Sequence, residues 1–149
     1  IDLNSAILES LDLVSFLYKQ DQIELEHDLS PVSPVILGNI GKLQQVLMNL
    51  LSNARDAMES SDRRVITVTT RERDGTAVVE VRDTGCGIAP ENLHRVFVSG
   101  YTSKPVGKGS GMGLDLARRI IEEMEGRVEV ESVPGEGATF RLVFPLHGS

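Results

Sequence analysis

The sequence predicts an α+β fold, a two-layer sandwich in which helices cover one face of a mostly antiparallel sheet. Three observations predict it. Residues 41–59 place Leu43, Val46, Leu47, Leu50, Ala54 and Ala57 on one face at the period of an amphipathic helix. Residues 65–69 and 76–81 are strand-forming runs, and Asp74-Gly75 between them is a strong hairpin turn. A second such pair, residues 127–131 and 139–144, brackets Pro134-Gly135-Glu136-Gly137.

The other elements follow in order. Ile7, Leu8, Leu11, Val14, Phe16 and Leu17 recur at close to helical spacing, so residues 5–20 form the first helix, with Ser5 or Asn4 as its cap. Residues 23–29 alternate as a strand. Pro31 and Pro34 mark a loop, and residues 35–37 form a short strand ending at Gly38. Ser60-Ser61-Asp62 ends the central helix. Residues 83–88 make a tight turn, Pro90 opens a short helix over residues 90–98, and residues 99–110 form a mobile loop. Leu114, Ala117, Ile120, Ile121 and Met124 give the helix over residues 114–125 a buried face, with Gly126 as the left-handed C′ residue just past its end.

Composition narrows the function. At 149 residues the chain suits one domain, and 40% hydrophobic with 25% charged residues predicts a folded core. No stretch approaches the roughly 18 apolar residues of a membrane span. A net charge of −7 argues against a nucleic-acid binder. Cys86 is the only cysteine, which rules out an internal disulfide and suits a reducing, cytoplasmic compartment. The start at Ile1, with no signal-peptide pattern, predicts a piece of a longer protein whose membrane attachment stays open.

Three segments carry polar chemistry. Gly107-Lys108-Gly109-Ser110-Gly111-Met112-Gly113-Leu114 sets four alternating glycines before a helix, as a phosphate-binding loop does; a flexible linker is the competing reading. It fits neither the dinucleotide fingerprint nor the Walker A loop, because its glycines and lysine are wrongly spaced. Asn49 and Asn53 lie four apart in the central helix with Asp56 three further on, so all three share one flank. That flank either faces a polar ligand, for which the amide oxygens suit Mg²⁺, or is simply solvated. Asp83 ends a strand before Gly85 and Gly87. Its carboxylate can accept the exocyclic amine proton of adenine, and the glycines leave room for a flat base; a plain turn is the alternative.

Taken in order, Asn49 to Ala57, Asp83-Thr84-Gly85-Cys86-Gly87-Ile88, Phe97 to Lys104, the glycine run and Gly135 to Phe140 resemble the catalytic ATP-binding domain of two-component sensor histidine kinases. That family belongs to the gyrase/histidine-kinase/MutL superfamily with the Bergerat ATP-binding fold. The resemblance covers residues 1 to 145 and implies ATP and Mg²⁺ as cofactors. It implies Asn53 as the Mg²⁺ ligand, Asn49 and Asp56 on the phosphate side, and Asp83, Gly85, Gly87 and Ile88 around adenine. It also implies Tyr101 in lid packing, Lys104 near the γ-phosphate, Gly109, Gly111, Met112, Gly113 and Leu114 in the ATP lid, and Thr139 near the adenine pocket. Asn49, Asn53 and Lys104 are the catalytic set it implies.

In the superfamily's ATPases the residue four before the Mg²⁺ asparagine is a glutamate that activates water. Asn49 cannot act as that general base, so slow hydrolysis is expected. None of His27, His94 and His147 matches the family's acceptor motif on a long amphipathic helix. The implied partners are a dimerisation and phosphoacceptor domain outside this chain and, indirectly, a response-regulator receiver domain, with no nucleic acid and no membrane contact. A serine kinase resembling the anti-sigma-factor kinases and a catalytically silent nucleotide-binding module are the alternatives.

Overall fold

The computed structural model describes residues 1–95 and 113–147. The first helix, α1 (Leu3–Gln20), starts at Asp2, whose carboxylate accepts the N–H of Ser5 at 3.0 Å. The cap is thus Asp2, not Ser5 or Asn4. Asn4 lies inside the first turn, and its amide reaches out to donate to the Ser30 carbonyl and accept from the Thr70 hydroxyl.

β1 (Glu24–Asp28) follows, and then α2 (Ile40–Ala57), which Asn39 caps by accepting the Lys42 N–H. The expected strand at 35–37 reduces to one bridge between Val35 and Asp2. The segment is too short, and too closely flanked by Pro34, to build a ladder. α2 carries the chain across the sheet, so β1 and β2 (Val65–Arg73) run parallel. β2 turns through Asp74 and Gly75, both with positive φ, into antiparallel β3 (Thr76–Asp83). The hairpin extends past both predicted strand ends, because backbone pairing carries polar residues as readily as apolar ones.

Pro90–Arg95 is a 3-10 turn within the expected short helix. The rest of that helix, residues 96–98, and the expected loop 99–110 lie outside the described residues. α3 (Gly113–Glu123) leads to β4 (Arg127–Val133) and β5 (Gly137–Pro145). α3 closes in a Schellman motif: Glu125 donates to the Glu122 carbonyl and Gly126 to that of Ile121. Glu125, at φ 62°, takes the left-handed position assigned to Gly126, which stands one residue later.

The sheet order is β1-β2-β3-β5-β4, with one parallel and three antiparallel pairings. Leu47, Leu50 and Leu51 of α2 belong to one apolar cluster with Val68, Val81 and Phe140 of the sheet. This is the expected sandwich. The opposite face is charged. Arg141 pairs there with Glu80, Glu129 and Glu131, while Arg71 and Arg127 pair with Glu80 and Glu129. None of the described helices is long and apolar enough to cross a membrane.

Arg64 locks the far end of α2. Its guanidinium donates to the carbonyls of Asp21, Glu59 and Ser61 at 3.0, 2.8 and 3.1 Å. Bonds from a charged donor are the stronger kind, so Arg64→Ala should destabilise the domain by about 2 kcal/mol in urea melts.

Candidate functional site

Strand register assembles a polar row at one end of the helix-facing side of the sheet. Alternation puts Val79 and Val81 of β3 in the core, and Asp83 next on the same side. Ala138 of β5 and its partner Ser132 of β4 complete the row. Asp83 is 4% exposed. Its Oδ1 accepts the N–H of Gly85 at 2.8 Å and of Ala138 at 3.3 Å. Both bonds go to Oδ1, which leaves Oδ2 without a hydrogen bond among the described residues. Burial pushes the carboxyl's pKa up, and the two N–H bonds oppose that only in part.

The glycines beside Asp83 let backbone segments pack closely. A Cβ on Gly85 would sit 2.5 Å from the Ala57 carbonyl oxygen, and one on Gly87 would sit 2.5 Å from that of Val133. Both Cβ directions are filled by backbone, so packing alone already requires glycine at these two positions. The close seating lets Cys86 N–H donate to the Ala57 carbonyl at 3.0 Å and Gly135 N–H donate to the Cys86 carbonyl at 2.7 Å. The turn is therefore clamped between the end of α2 and the β4–β5 turn. Thr84 adds a further tie: its hydroxyl donates to the Arg63 carbonyl and accepts from Val65 N–H.

Asn49, Asn53 and Asp56 are half-buried on one flank of α2, beside its core stripe. α3 packs along α2. Its C-terminal end lies at the start of α2, where Glu123 pairs with Lys42 and a Cβ on Gly38 would meet Met124. Its N-terminal end, Gly113 and half-buried Leu114, therefore points toward the half of α2 that carries the asparagines. An 11-residue helix spans about 16 Å, enough to run from Lys42 to near Asn53.

Thr139 does not join this group. It pairs with Arg82 and Glu131, and the alternation of β5 sends its side chain to the charged outer face. The β5 residue on Asp83's side is Ala138. Ile88 is half-buried next to the turn, and its N–H donates to Ser132 Oγ at 2.6 Å. Tyr101, Lys104, Gly109, Gly111 and Met112 lie outside the described residues. Sequence reasoning missed Ser132; its signal is a hydroxyl at an inward strand position, in step with Val128 and Val130.

Among the described residues no three His, Cys, Asp or Glu side chains gather as a metal cage. The oxygens on α2 instead suit an ion that arrives with much of its shell supplied by phosphate and water, which is the habit of Mg²⁺.

Residues 38–148 match the family model described as "Histidine kinase-, DNA gyrase B-, and HSP90-like ATPase". The chain is 37% identical over 149 residues to sensor histidine kinase ZraS of Klebsiella oxytoca, covering 99% of this chain and 31% of that protein. It is 38% identical over 128 residues to sensor protein FixL of Bradyrhizobium diazoefficiens, covering 85% of this chain and 25% of that protein. The chain thus spans about a third or less of these relatives. Among solved structures, the nucleotide-free catalytic domain of histidine kinase ThkA superposes with a TM-score of 0.84 at 25% identity, covering 97% of this chain and 95% of that one. Full-length ShkA in complex with AMPPNP gives 0.85 at 30% identity, covering 98% and 30%.

Proposed function

Because the chain belongs to the histidine kinase-, DNA gyrase B- and HSP90-like ATPase family, we propose that residues 1–149 are the catalytic ATP-binding domain of a sensor histidine kinase. It transfers the γ-phosphate of ATP to a histidine on a dimerisation domain. A response-regulator receiver domain is the eventual recipient, and the setting is cytoplasmic. The observation that carries the reading is Asp83: a buried carboxylate whose Oδ2 has no hydrogen bond among the described residues, at the end of the sheet to which the asparagine-bearing half of α2 is clamped.

The residues divide the work. Asp83 Oδ2 accepts from the adenine amine. Asn53 would hold the metal through its amide oxygen, with Asn49 and Asp56 on the same flank. Lys104 and the glycine run from Gly109 to Gly113 serve the phosphate side, ending at the N-terminus of α3, whose unpaired N–H groups favour anions. Mg²⁺, when bound, would neutralise phosphate charge as it develops. Asn49 has no basic oxygen with which to take a proton from water, so ATP persists until the acceptor arrives. Positioning is then the main contribution of this domain to the transfer.

The test is mixing with a separately produced acceptor domain and labelled ATP. Label on histidine, stable to base and labile to acid, supports the reading. Label on serine would instead support the anti-sigma-factor-like alternative, and binding without transfer to any acceptor would support the silent module. In the same assay series, Asn53→Ala should weaken ATP binding at least about tenfold with Mg²⁺ present. In excess chelator, variant and parent should bind alike. Full Mg²⁺-dependent affinity in the variant would remove Asn53 from the metal site.

A further inference from the structure

Ser132 joins the two turns that frame Asp83, and none of the roles above includes it. Its Oγ accepts the Ile88 N–H at 2.6 Å and donates to the Gly137 carbonyl at 2.9 Å. The side chain stands in the same inward row as Asp83 and Ala138. Ile88 closes the turn that begins at Asp83. Gly137 opens the strand whose next N–H, from Ala138, bonds Asp83 Oδ1. One hydroxyl therefore holds both chain segments that fix the carboxylate. The bond from Gly135 N–H to the Cys86 carbonyl also ties the two turns directly.

We propose that Ser132 is a positioning residue for the base side of the nucleotide pocket. It acts through the backbones of Ile88 and Gly137. The inference rests on reading Asp83 as the adenine-binding carboxylate. The chemistry demands a group that accepts and donates at once. Serine and threonine do both; alanine does neither and leaves the Ile88 N–H without its partner. Neither of the two bonds reaches the flank of α2 with Asn49 and Asn53. The effect should therefore fall on recognition of the base more than on the phosphates.

The test compares Ser132→Ala and Ser132→Thr with the parent chain. Three quantities are read: ATP and GTP affinities by calorimetry with Mg²⁺, unfolding temperature without nucleotide, and hydrogen exchange at the Ile88 amide. Ser132→Ala should weaken ATP binding about three- to tenfold, the scale of one lost hydrogen bond. It should also reduce the preference for ATP over GTP and speed exchange at Ile88, and Ser132→Thr should restore all three. Parent-like ATP affinity and selectivity in Ser132→Ala would overturn the proposal. So would an affinity loss that Ser132→Thr does not restore, or one with the ATP-to-GTP ratio unchanged. If the parent chain itself binds no adenine nucleotide, the reading of Asp83 fails separately. Exchange at Ile88 then decides: faster exchange in Ser132→Ala upholds the positioning of the turn, and unchanged exchange overturns it.

Discussion

Asp83→Asn is expected to raise the melting temperature of the nucleotide-free domain by a few degrees while lowering its ATP affinity about 100-fold. The two effects share one cause. Asp83 is 4% exposed, and burial disfavours its charged form. Asparagine keeps an oxygen that can accept from Gly85 and Ala138, so the turn survives and no charge is buried. Its NH₂ group then occupies the place of Oδ2. A donor there faces the adenine amine, itself a donor, and the pair cannot bond. The proposed adenine contact would thus rest on a carboxylate that the empty fold would be more stable without.

pH acts on stability and on binding in opposite directions. The folded pKa of Asp83 lies above its ordinary value of 3.8. The folded state therefore binds this proton more tightly than the unfolded chain does. The stabilising contribution is fully present below 3.8 and is lost as pH rises through the folded value. Binding runs the other way. Protonation puts a hydrogen on the oxygen that must accept, so ATP affinity should fall as pH drops through that raised pKa. Calorimetric titrations run downward from neutral pH should show the fall in the parent chain and not, from this group, in Asp83→Asn. Parent-like affinity for Asp83→Asn at neutral pH would remove Asp83 from the adenine site.

The sequence made the sheet legible because its strands carry strong local signals. Asp74-Gly75 specifies a hairpin with two positive φ angles, and both residues adopt them. The period of Leu43, Val46, Leu47 and Leu50 names the buried face of α2 without knowledge of its neighbours. What local signals lack is register. Thr139 and Ala138 are adjacent, and only the pairing of Arg82 with Thr139 and of Ser132 with Ala138 decides which one stands with Asp83. Thr139, placed near the adenine pocket by resemblance alone, therefore stands on the outer face of the sheet. The parallel pairing of β1 with β2 is legible only once α2 is seen as a crossover.

Caps and glycines depend on distant partners for a related reason. Asp2, Asn4 and Ser5 can all cap a helix, and the choice went to Asp2 because Asn4 has tertiary partners in Ser30 and Thr70. Gly126 looks like the left-handed residue after α3, yet Glu125 takes that conformation. At Gly85 and Gly87 the sequence announces that a side chain is unwelcome but not what excludes it. The excluding groups are carbonyls of Ala57 and Val133, distant in sequence.

Gly137→Ala should have the largest effect of any single methyl added to a described glycine. Gly137 has φ 118°, a conformation that L side chains rarely adopt, and its added Cβ would lie 2.1 Å from the Asp83 carbonyl oxygen. That oxygen belongs to the β3 backbone, so no rotamer change relieves the clash. Either the β4–β5 turn or the end of β3 must move. Each movement stretches the bond from Ala138 N–H to Asp83 Oδ1 and the bond from Ser132 Oγ to the Gly137 carbonyl. The expected cost is about 3 kcal/mol or more in urea denaturation, with ATP binding reduced beyond what the loss of folded protein explains. Gly135→Ala is the control. Gly135 also has positive φ, at 81°, but nothing lies within 4 Å of its added Cβ. It should cost about 1 kcal/mol, the strain of a left-handed alanine alone. If the two variants prove equally stable and bind ATP equally well, the close approach of Gly137 to Asp83 does not hold the site together.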